Sequence, residues 1–184
     1  MIYTIPNLVS VVRLALIPVF VWFLFGKDDP ALAGWTLGII GSTDWVDGYL
    51  ARRLDQVSEV GKFLDPLADR IAVAVAVIGG WIADVLPDWF AAAIIVREVI
   101  MAAGALVIAL RARAQLAVRY LGKLATFMLY AAVAWFYLGV GYDIDLILAA
   151  AWVVGIPGLI IYYVVVAQYV GDGRRLLSGT GAGE

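Results

Sequence analysis

The sequence contains no cysteine and no histidine. The lack of cysteine excludes disulfide bonds, a thiolate nucleophile and a sulfur-ligated metal site. The lack of histidine removes the usual proton carrier at physiological pH and the commonest ligand of softer metals. Charged residues are also scarce: they make up 15% of the 184 residues, whereas soluble domains carry about 25%. Any chemistry must therefore use carboxylates, Lys, Arg and hydroxyl groups.

Apolar residues make up 64% of the chain, and the mean hydropathy is +0.95. They form several blocks separated by short charged or Pro/Gly breaks, which excludes a soluble enzyme with one anchor, a secreted disulfide scaffold and a disordered chain. At about 20 residues per span, the length allows six or seven helices at most. We expect an all-α polytopic membrane protein with six transmembrane helices, at residues 8–26, 31–50, 64–83, 89–110, 124–142 and 146–170.

The ends of the chain bear on its domain organisation. No basic stretch precedes the first apolar segment and no small-residue cleavage site follows it, so we interpret it as a retained span. From Gly171 onward the chain is rich in glycine, which predicts an irregular end. We assign residues 1–175 to a single transmembrane catalytic domain and 176–184 to a disordered tail. Gly34 and Gly38 in the second segment favour close helix packing within the chain over a dimer contact.

Lys and Arg are distributed unevenly among the breaks. The breaks after helices 2 and 4 and the C-terminal tail hold nine of them, whereas the breaks after helices 1, 3 and 5 hold only Lys27. The positive-inside rule therefore places both termini and the even-numbered breaks in the cytoplasm. We expect a multi-pass protein of the inner (plasma) membrane whose site faces the cytoplasm.

Four aspartates lie at the edge of the predicted spans. Asp44 and Asp47 are three residues apart, and Asp65 and Asp69 are four apart, so each pair shares one face of its helix. Charges at the centre of a span cost roughly 2.5 to 3.5 kcal/mol each, so cations must meet them. The short linker predicts that the two pairs converge at the cytoplasmic face. Hard oxygen donors without His or Cys suit Mg²⁺, Mn²⁺ or Ca²⁺.

An interfacial salt network is the plainer alternative for these aspartates, with Arg52, Arg53, Lys62 and Arg70 as partners. The residues around the pairs favour a ligand site instead. Gly48, Ala51 and Gly61 are small enough for a bulky polar group to approach the backbone, and Arg52 could bind a phosphate. Together with divalent ions, these are the components of a diphosphate site for metal-assisted phosphoryl chemistry.

The full run is Asp44-x2-Asp47-Gly48-x2-Ala51-Arg52-x8-Gly61-x3-Asp65-x3-Asp69. It matches, without a mismatch, the eight-position signature of the CDP-alcohol phosphatidyltransferases, a family that the chain resembles over most of its length. The resemblance implies a six-helix membrane enzyme, usually a homodimer, with CDP-diacylglycerol as phosphatidyl donor and CMP as leaving product. No nucleic acid is expected as a partner.

The resemblance also implies roles for the motif residues. Asp44, Asp47 and Asp65 would ligate two divalent cations, Mg²⁺ or Mn²⁺, that hold the diphosphate. Asp69 would be the general base and could also be a metal ligand. The binding of CDP and its diphosphate would fall to Gly48, Ala51, Arg52 and Gly61.

The flanking residues most resemble the phosphatidylglycerophosphate synthase branch of the family, which implies glycerol 3-phosphate as the acceptor. They are Ile5-Pro6-Asn7-Leu8, Arg13, Thr43, Phe63-Leu64 and Arg97-Glu98-Val99-Ile100. An anionic acceptor needs cations, and the candidates are Arg97, Arg111, Arg113, Arg119 and Lys123. A structural pair is an equal alternative for Arg97, although adjacent helical residues diverge, which disfavours a direct bridge to Glu98. Arg13 could pair or snorkel.

One position departs from that branch. Where the branch carries Gly-Lys-x-Lys-Thr, this chain reads Gly122-Lys123-Leu124-Ala125-Thr126, which resembles the cardiolipin synthases of the same family and keeps phosphatidylglycerol open as acceptor. Two other classes are disfavoured. A carboxylate-based ion-coupled transporter predicts repeats and broken helices at the midplane, and an intramembrane prenyltransferase would need more helices.

Overall fold

The computed structural model describes residues 5–54, 59–111 and 120–177. Inside these ranges, the side chains of 5–10, 44–54, 59–67, 69, 105, 108–111, 120 and 172–177 lie outside the description. The described chain is all-helical, and its helices are α1 (Ile5–Val21), continued by a π-helical turn (Trp22–Gly26), α2 (Pro30–Leu54), α3 (Glu59–Ile82), α4 (Asp88–Arg111), α5 (Tyr120–Tyr142) and α6 (Asp145–Leu177).

Each predicted apolar segment corresponds to one helix, so the all-α class is confirmed. The prediction was wrong at the C-terminal end. There α6 continues through Gly171 to Leu177, where an irregular end was expected from 171. Adding a residue to an existing helix is easy compared with nucleating one, and Arg174 and Arg175 stand in the last turn, where cations favour the helix dipole. Residues 178–184 lie outside the described ranges.

An aspartate in the left-handed conformation follows the helix in each of the three breaks that were predicted to be poor in Lys and Arg. The φ angles are 53° at Asp28, 54° at Asp84 and 55° at Asp143. Aspartate tolerates this conformation better than most residues, and it lets the next amide reach back to an otherwise unpaired helix carbonyl. These amide-to-carbonyl hydrogen bonds are Asp29 to Phe23 (3.0 Å), Val85 to Gly80 (2.8 Å) and Ile144 to Gly139 (3.0 Å).

Helix α5 is central to the packing. It lies along α6, also contacts α2, and touches α3, while α1 packs against both α2 and α3 and α4 packs mainly against α6. The buried Tyr137 of α5 donates a 2.8 Å hydrogen bond to the Ala76 carbonyl of α3. Phe90 of α4 and Phe136 of α5 meet Trp152 of α6 with ring centroids 5.6 Å and 4.9 Å away. The apolar core therefore draws on all six helices.

Two glycines of α2 one turn apart have opposite surroundings. A methyl group at Gly34 would lie 2.9 Å from Tyr137 Cβ, whereas one at Gly38 would have nothing within 4 Å. Gly34 is thus a close-packing position within the chain, as predicted. Gly38 takes no part in that contact.

We expect Gly34→Ala to lower the thermal unfolding midpoint in detergent, since Tyr137 Cβ cannot move without separating α2 from α5. Overpacking of this kind costs about 1 to 3 kcal/mol. Gly38→Ala is the matched control, and should be neutral or stabilising because alanine favours a helix by about 0.5 to 1 kcal/mol over glycine. Equal unfolding midpoints for the two variants would contradict this packing.

Two stretches among the described residues are long and apolar enough to cross a membrane, Leu121–Tyr142 and Asp145–Gly171. Shorter apolar helical stretches cover Val11–Gly26 and Arg70–Ile82. Large apolar side chains are also exposed on every helix, among them Val12, Ile39, Ile78, Val99, Phe127 and Val153. In water this much exposed apolar surface would be unfavourable.

Candidate active site

Both aspartate pairs lie in continuous helix. Asp44 and Asp47 stand in the last three turns of α2, and Asp65 and Asp69 in the first three turns of α3. Residues three or four apart share a face under this condition. The side chains of all four lie outside the described part of the chain. Among the residues whose side chains are described, no group of three or more acidic residues could hold a metal ion.

For the other motif residues too, the structure describes the backbone but not the side chains. Gly48, Ala51 and Arg52 belong to α2, and Gly61 belongs to the first turn of α3. Their backbone is helical, but their side-chain surroundings are not described. Their assignment to CDP and diphosphate remains a prediction from the motif.

Helix α1 connects the two motif-bearing helices, because it packs against both. It carries Arg13, which is only 1% exposed and is the largest of the fully buried side chains that the structure describes. An arginine this buried does not snorkel to the membrane surface, which removes one of the two expectations for it. Burial of a guanidinium is tolerated only when charge and hydrogen bonds compensate it.

Arg97 and Glu98 form an ion pair within α4. Arg97 Nη1 lies 2.7 Å from Glu98 Oε1, and Arg97 is only 8% exposed. The expectation that adjacent helical residues would not bridge was therefore wrong. The reason is the buried Tyr162 of α6. Its hydroxyl donates a hydrogen bond to the same Oε1, while the Arg97 guanidinium carbon sits 3.4 Å from its ring centroid. Tyr162 thus contacts both side chains, and these contacts hold Arg97 and Glu98 next to each other.

Glu98 has a second cationic partner on another helix. Its Oε2 lies 3.4 Å from Nη1 of Arg70 in α3, the residue that follows Asp69. Its two carboxylate oxygens therefore connect α3, α4 and α6. Arg97 Nε is buried and, within the described part of the chain, has no hydrogen-bond partner. Tyr162 was not predicted from the sequence. It lies in an apolar helix, 64 residues from Glu98, and nothing in the sequence distinguishes it from the other tyrosines of that helix.

The structure describes some of the remaining candidates for acceptor binding more fully than others. Lys123 is exposed on α5, Arg111 is the last residue of α4 with its side chain undescribed, and Arg113 and Arg119 lie outside the described residues. Ala125, where the synthase branch has its second lysine, is completely buried in the apolar core at 0% exposure. This position therefore presents no cation to an acceptor.

Comparison with known proteins decides the family. The model of the CDP-alcohol phosphatidyltransferase domain matches residues 3–166, which includes the whole aspartate motif. The chain belongs to the CDP-alcohol phosphatidyltransferase family. Among its relatives is a CMP-forming cardiolipin synthase of Streptomyces coelicolor, 32% identical over 183 residues that cover 96% of this chain and 85% of the relative.

Other relatives of this phosphatidyltransferase carry a different name. CDP-diacylglycerol--glycerol-3-phosphate 3-phosphatidyltransferase of Bacillus subtilis is 38% identical over 72% of this chain and 75% of its own length. The enzyme of that name from Escherichia coli is 37% identical, over 72% and 76%. CDP-alcohol phosphatidyltransferases generally use divalent metals. Hard carboxylate donors are what the motif offers to such ions, so the donor set fits.

Proposed function

We propose that this protein transfers a phosphatidyl group from CDP-diacylglycerol to the hydroxyl of a glycerol-type acceptor, with release of CMP, in phospholipid synthesis. The observation that carries the proposal is the complete eight-position motif, whose first half belongs to the C-terminal part of α2 and whose second half belongs to the N-terminal part of α3. The names of the relatives, which specify CMP formation or a CDP-diacylglycerol donor, support it.

The residues of the motif divide the work. Asp44, Asp47 and Asp65 would hold two divalent cations, Mg²⁺ or Mn²⁺, and Asp69 could share in this. Such ions neutralise the diphosphate and stabilise the departing CMP. Asp69 takes the proton from the acceptor hydroxyl as general base. Gly48, Ala51 and Gly61 leave room for the cytidine, and Arg52 contacts phosphate.

We further propose that all six helices span the inner membrane, with both termini and the site at the cytoplasmic face. The nine-to-one distribution of Lys and Arg supports this orientation. Exposed tryptophans near the three aspartate turns support it as well, because indole groups favour the headgroup region. Trp81 Nε1 donates to Asp88 Oδ1 at 2.9 Å, and Trp35 Nε1 donates to the Tyr142 hydroxyl at 3.0 Å. A homodimer, which the family resemblance implies, stays a prediction that light scattering of the purified protein would check.

Glycerol 3-phosphate is the first acceptor we propose, because the flanking residues favour the phosphatidylglycerophosphate synthase branch. Arg97, Arg111, Arg119 and Lys123 remain candidates for binding its phosphate. Phosphatidylglycerol is the second candidate, favoured by the buried Ala125 and by the cardiolipin synthase that aligns with nearly the whole chain. A lipid acceptor with one phosphodiester charge needs fewer cations than a phosphomonoester.

One assay distinguishes these acceptors. Purified protein is given CDP-diacylglycerol with glycerol 3-phosphate, phosphatidylglycerol or inositol phosphate in separate reactions, and the lipid product is identified by mass spectrometry. We expect phosphatidylglycerophosphate from the first reaction. Cardiolipin as the sole product would overturn the first acceptor and support the second, while no new lipid in any reaction would contradict the proposed function.

A further inference from the structure

Glu98 has an arrangement that the proposed chemistry does not use. Its carboxylate accepts from Tyr162 and Arg97 through Oε1 and faces Arg70 through Oε2. The single negative charge of Glu98 thus pairs with one cation in α3 and one in α4, and it also accepts a hydrogen bond from a hydroxyl in α6. Without Glu98, two guanidinium groups would be left close together with no described carboxylate between them.

Arg70 is the member of this cluster that lies nearest to the motif in the sequence. It follows Asp69 directly in α3, and its side chain is 61% exposed, against 9% for Arg97. A guanidinium on such a long, exposed side chain can change partners easily. The motif residues Asp65 and Asp69 precede it in the same helix. The pair with Glu98 keeps Arg70 directed toward α4.

We propose that Glu98 is a positioning residue for the α3 carboxylates, acting through Arg70, and this inference rests on the proposed function. By holding Arg70 against α4, Glu98 keeps a competing cation away from Asp65 and Asp69. Its charge also offsets the charge of Arg97 in α4. Both effects favour the binding of a divalent cation, because a nearby guanidinium competes with that cation for the same carboxylates.

The test measures Mn²⁺ binding to the purified full-length protein without substrate, from the electron paramagnetic resonance signal of free Mn²⁺. We expect Glu98→Gln to weaken Mn²⁺ binding roughly tenfold, as outer-shell changes do at other metal sites. Arg70→Gln should bind Mn²⁺ as tightly as wild type or tighter, because it removes the competing cation. The double variant should show no weakening.

Tyr162→Phe is the matched control. It removes the hydroxyl that donates to Glu98 but leaves all three charges, so it should lower the unfolding midpoint without changing Mn²⁺ affinity. If Glu98 had only a structural role, Tyr162→Phe and Glu98→Gln would change the unfolding midpoint and the Mn²⁺ affinity in the same way. That likeness would overturn the proposal, as would a folded Glu98→Gln protein with wild-type Mn²⁺ affinity or a double variant as weak as Glu98→Gln.

If Glu98→Gln does not fold, Glu98→Asp provides the measurement. The shorter carboxylate can keep its neighbour Arg97 but recedes from Arg70, so a smaller weakening in the same direction is expected, and unchanged affinity would overturn the proposal. CMP release is measured on the same wild-type preparation. A wild type that releases CMP while these variants bind Mn²⁺ normally overturns only the role of Glu98, whereas absence of CMP release overturns the proposed function.

Discussion

Replacement of Asp69 by asparagine is expected to lower kcat for CMP release by about 100-fold to 10,000-fold, the usual contribution of a general base. The amide has nearly the shape of the carboxylate but cannot take the proton of the attacking hydroxyl. Because Asp69 lies in the third turn of α3, a single isosteric change there should leave the helix intact. The measurement is the initial rate of CMP release at saturating CDP-diacylglycerol, together with the unfolding midpoint.

Asp143→Asn is the matched control for this variant. Asp143 lies at the turn between α5 and α6, outside the motif, with a left-handed backbone that asparagine also adopts readily. It should retain both activity and stability. Full activity in Asp69→Asn would remove Asp69 from the reaction, and an equal loss in Asp143→Asn would show that the assay reports folding.

Removal of divalent metal is expected to have an effect of similar size. Chelation with EDTA should reduce CMP release to the background rate, and excess Mg²⁺ or Mn²⁺ should restore it. The physical reason is that, in the proposed mechanism, two cations would neutralise the diphosphate, which would otherwise face the acidic Asp44, Asp47 and Asp65 without compensation.

The chelation experiment has its own control in the structure. The described core is apolar and formed by side chains from all six helices, so the unfolding midpoint should change little when the metal is removed. Turnover that is unaffected by EDTA would contradict the metal-dependent mechanism. Loss of activity with simultaneous unfolding would indicate instead a metal that holds the fold together.

The helices could be predicted from the sequence because each apolar run is bounded by charges, Pro or Gly. Even the shortest break was located correctly, since α5 ends at Tyr142 and α6 begins at Asp145. The end of α6 could not be predicted in the same way. Glycine spacing favours irregular chain, but a long existing helix can extend through Gly171 and Gly173 at modest cost.

In the candidate site, too, one part could be predicted from the sequence and another part could not. Its aspartates could be proposed as metal ligands because such chemistry depends on spacing within a helix, which the sequence displays directly. The Glu98 cluster could not, because Arg70, Arg97 and Tyr162 come from three helices and are brought together only by packing. Local geometry alone even argued against the Arg97–Glu98 pair, whereas the tertiary contact with Tyr162 makes it favourable.

The central claim is tested most directly by CMP release. Purified protein in detergent is incubated with CDP-diacylglycerol, Mg²⁺ or Mn²⁺ and glycerol 3-phosphate or phosphatidylglycerol, and CMP and the product lipid are both quantified. The account predicts one CMP for each phosphatidyl group transferred, with both products formed at least about 100-fold more slowly by Asp69→Asn. Absence of CMP from folded wild-type protein with either acceptor would contradict it.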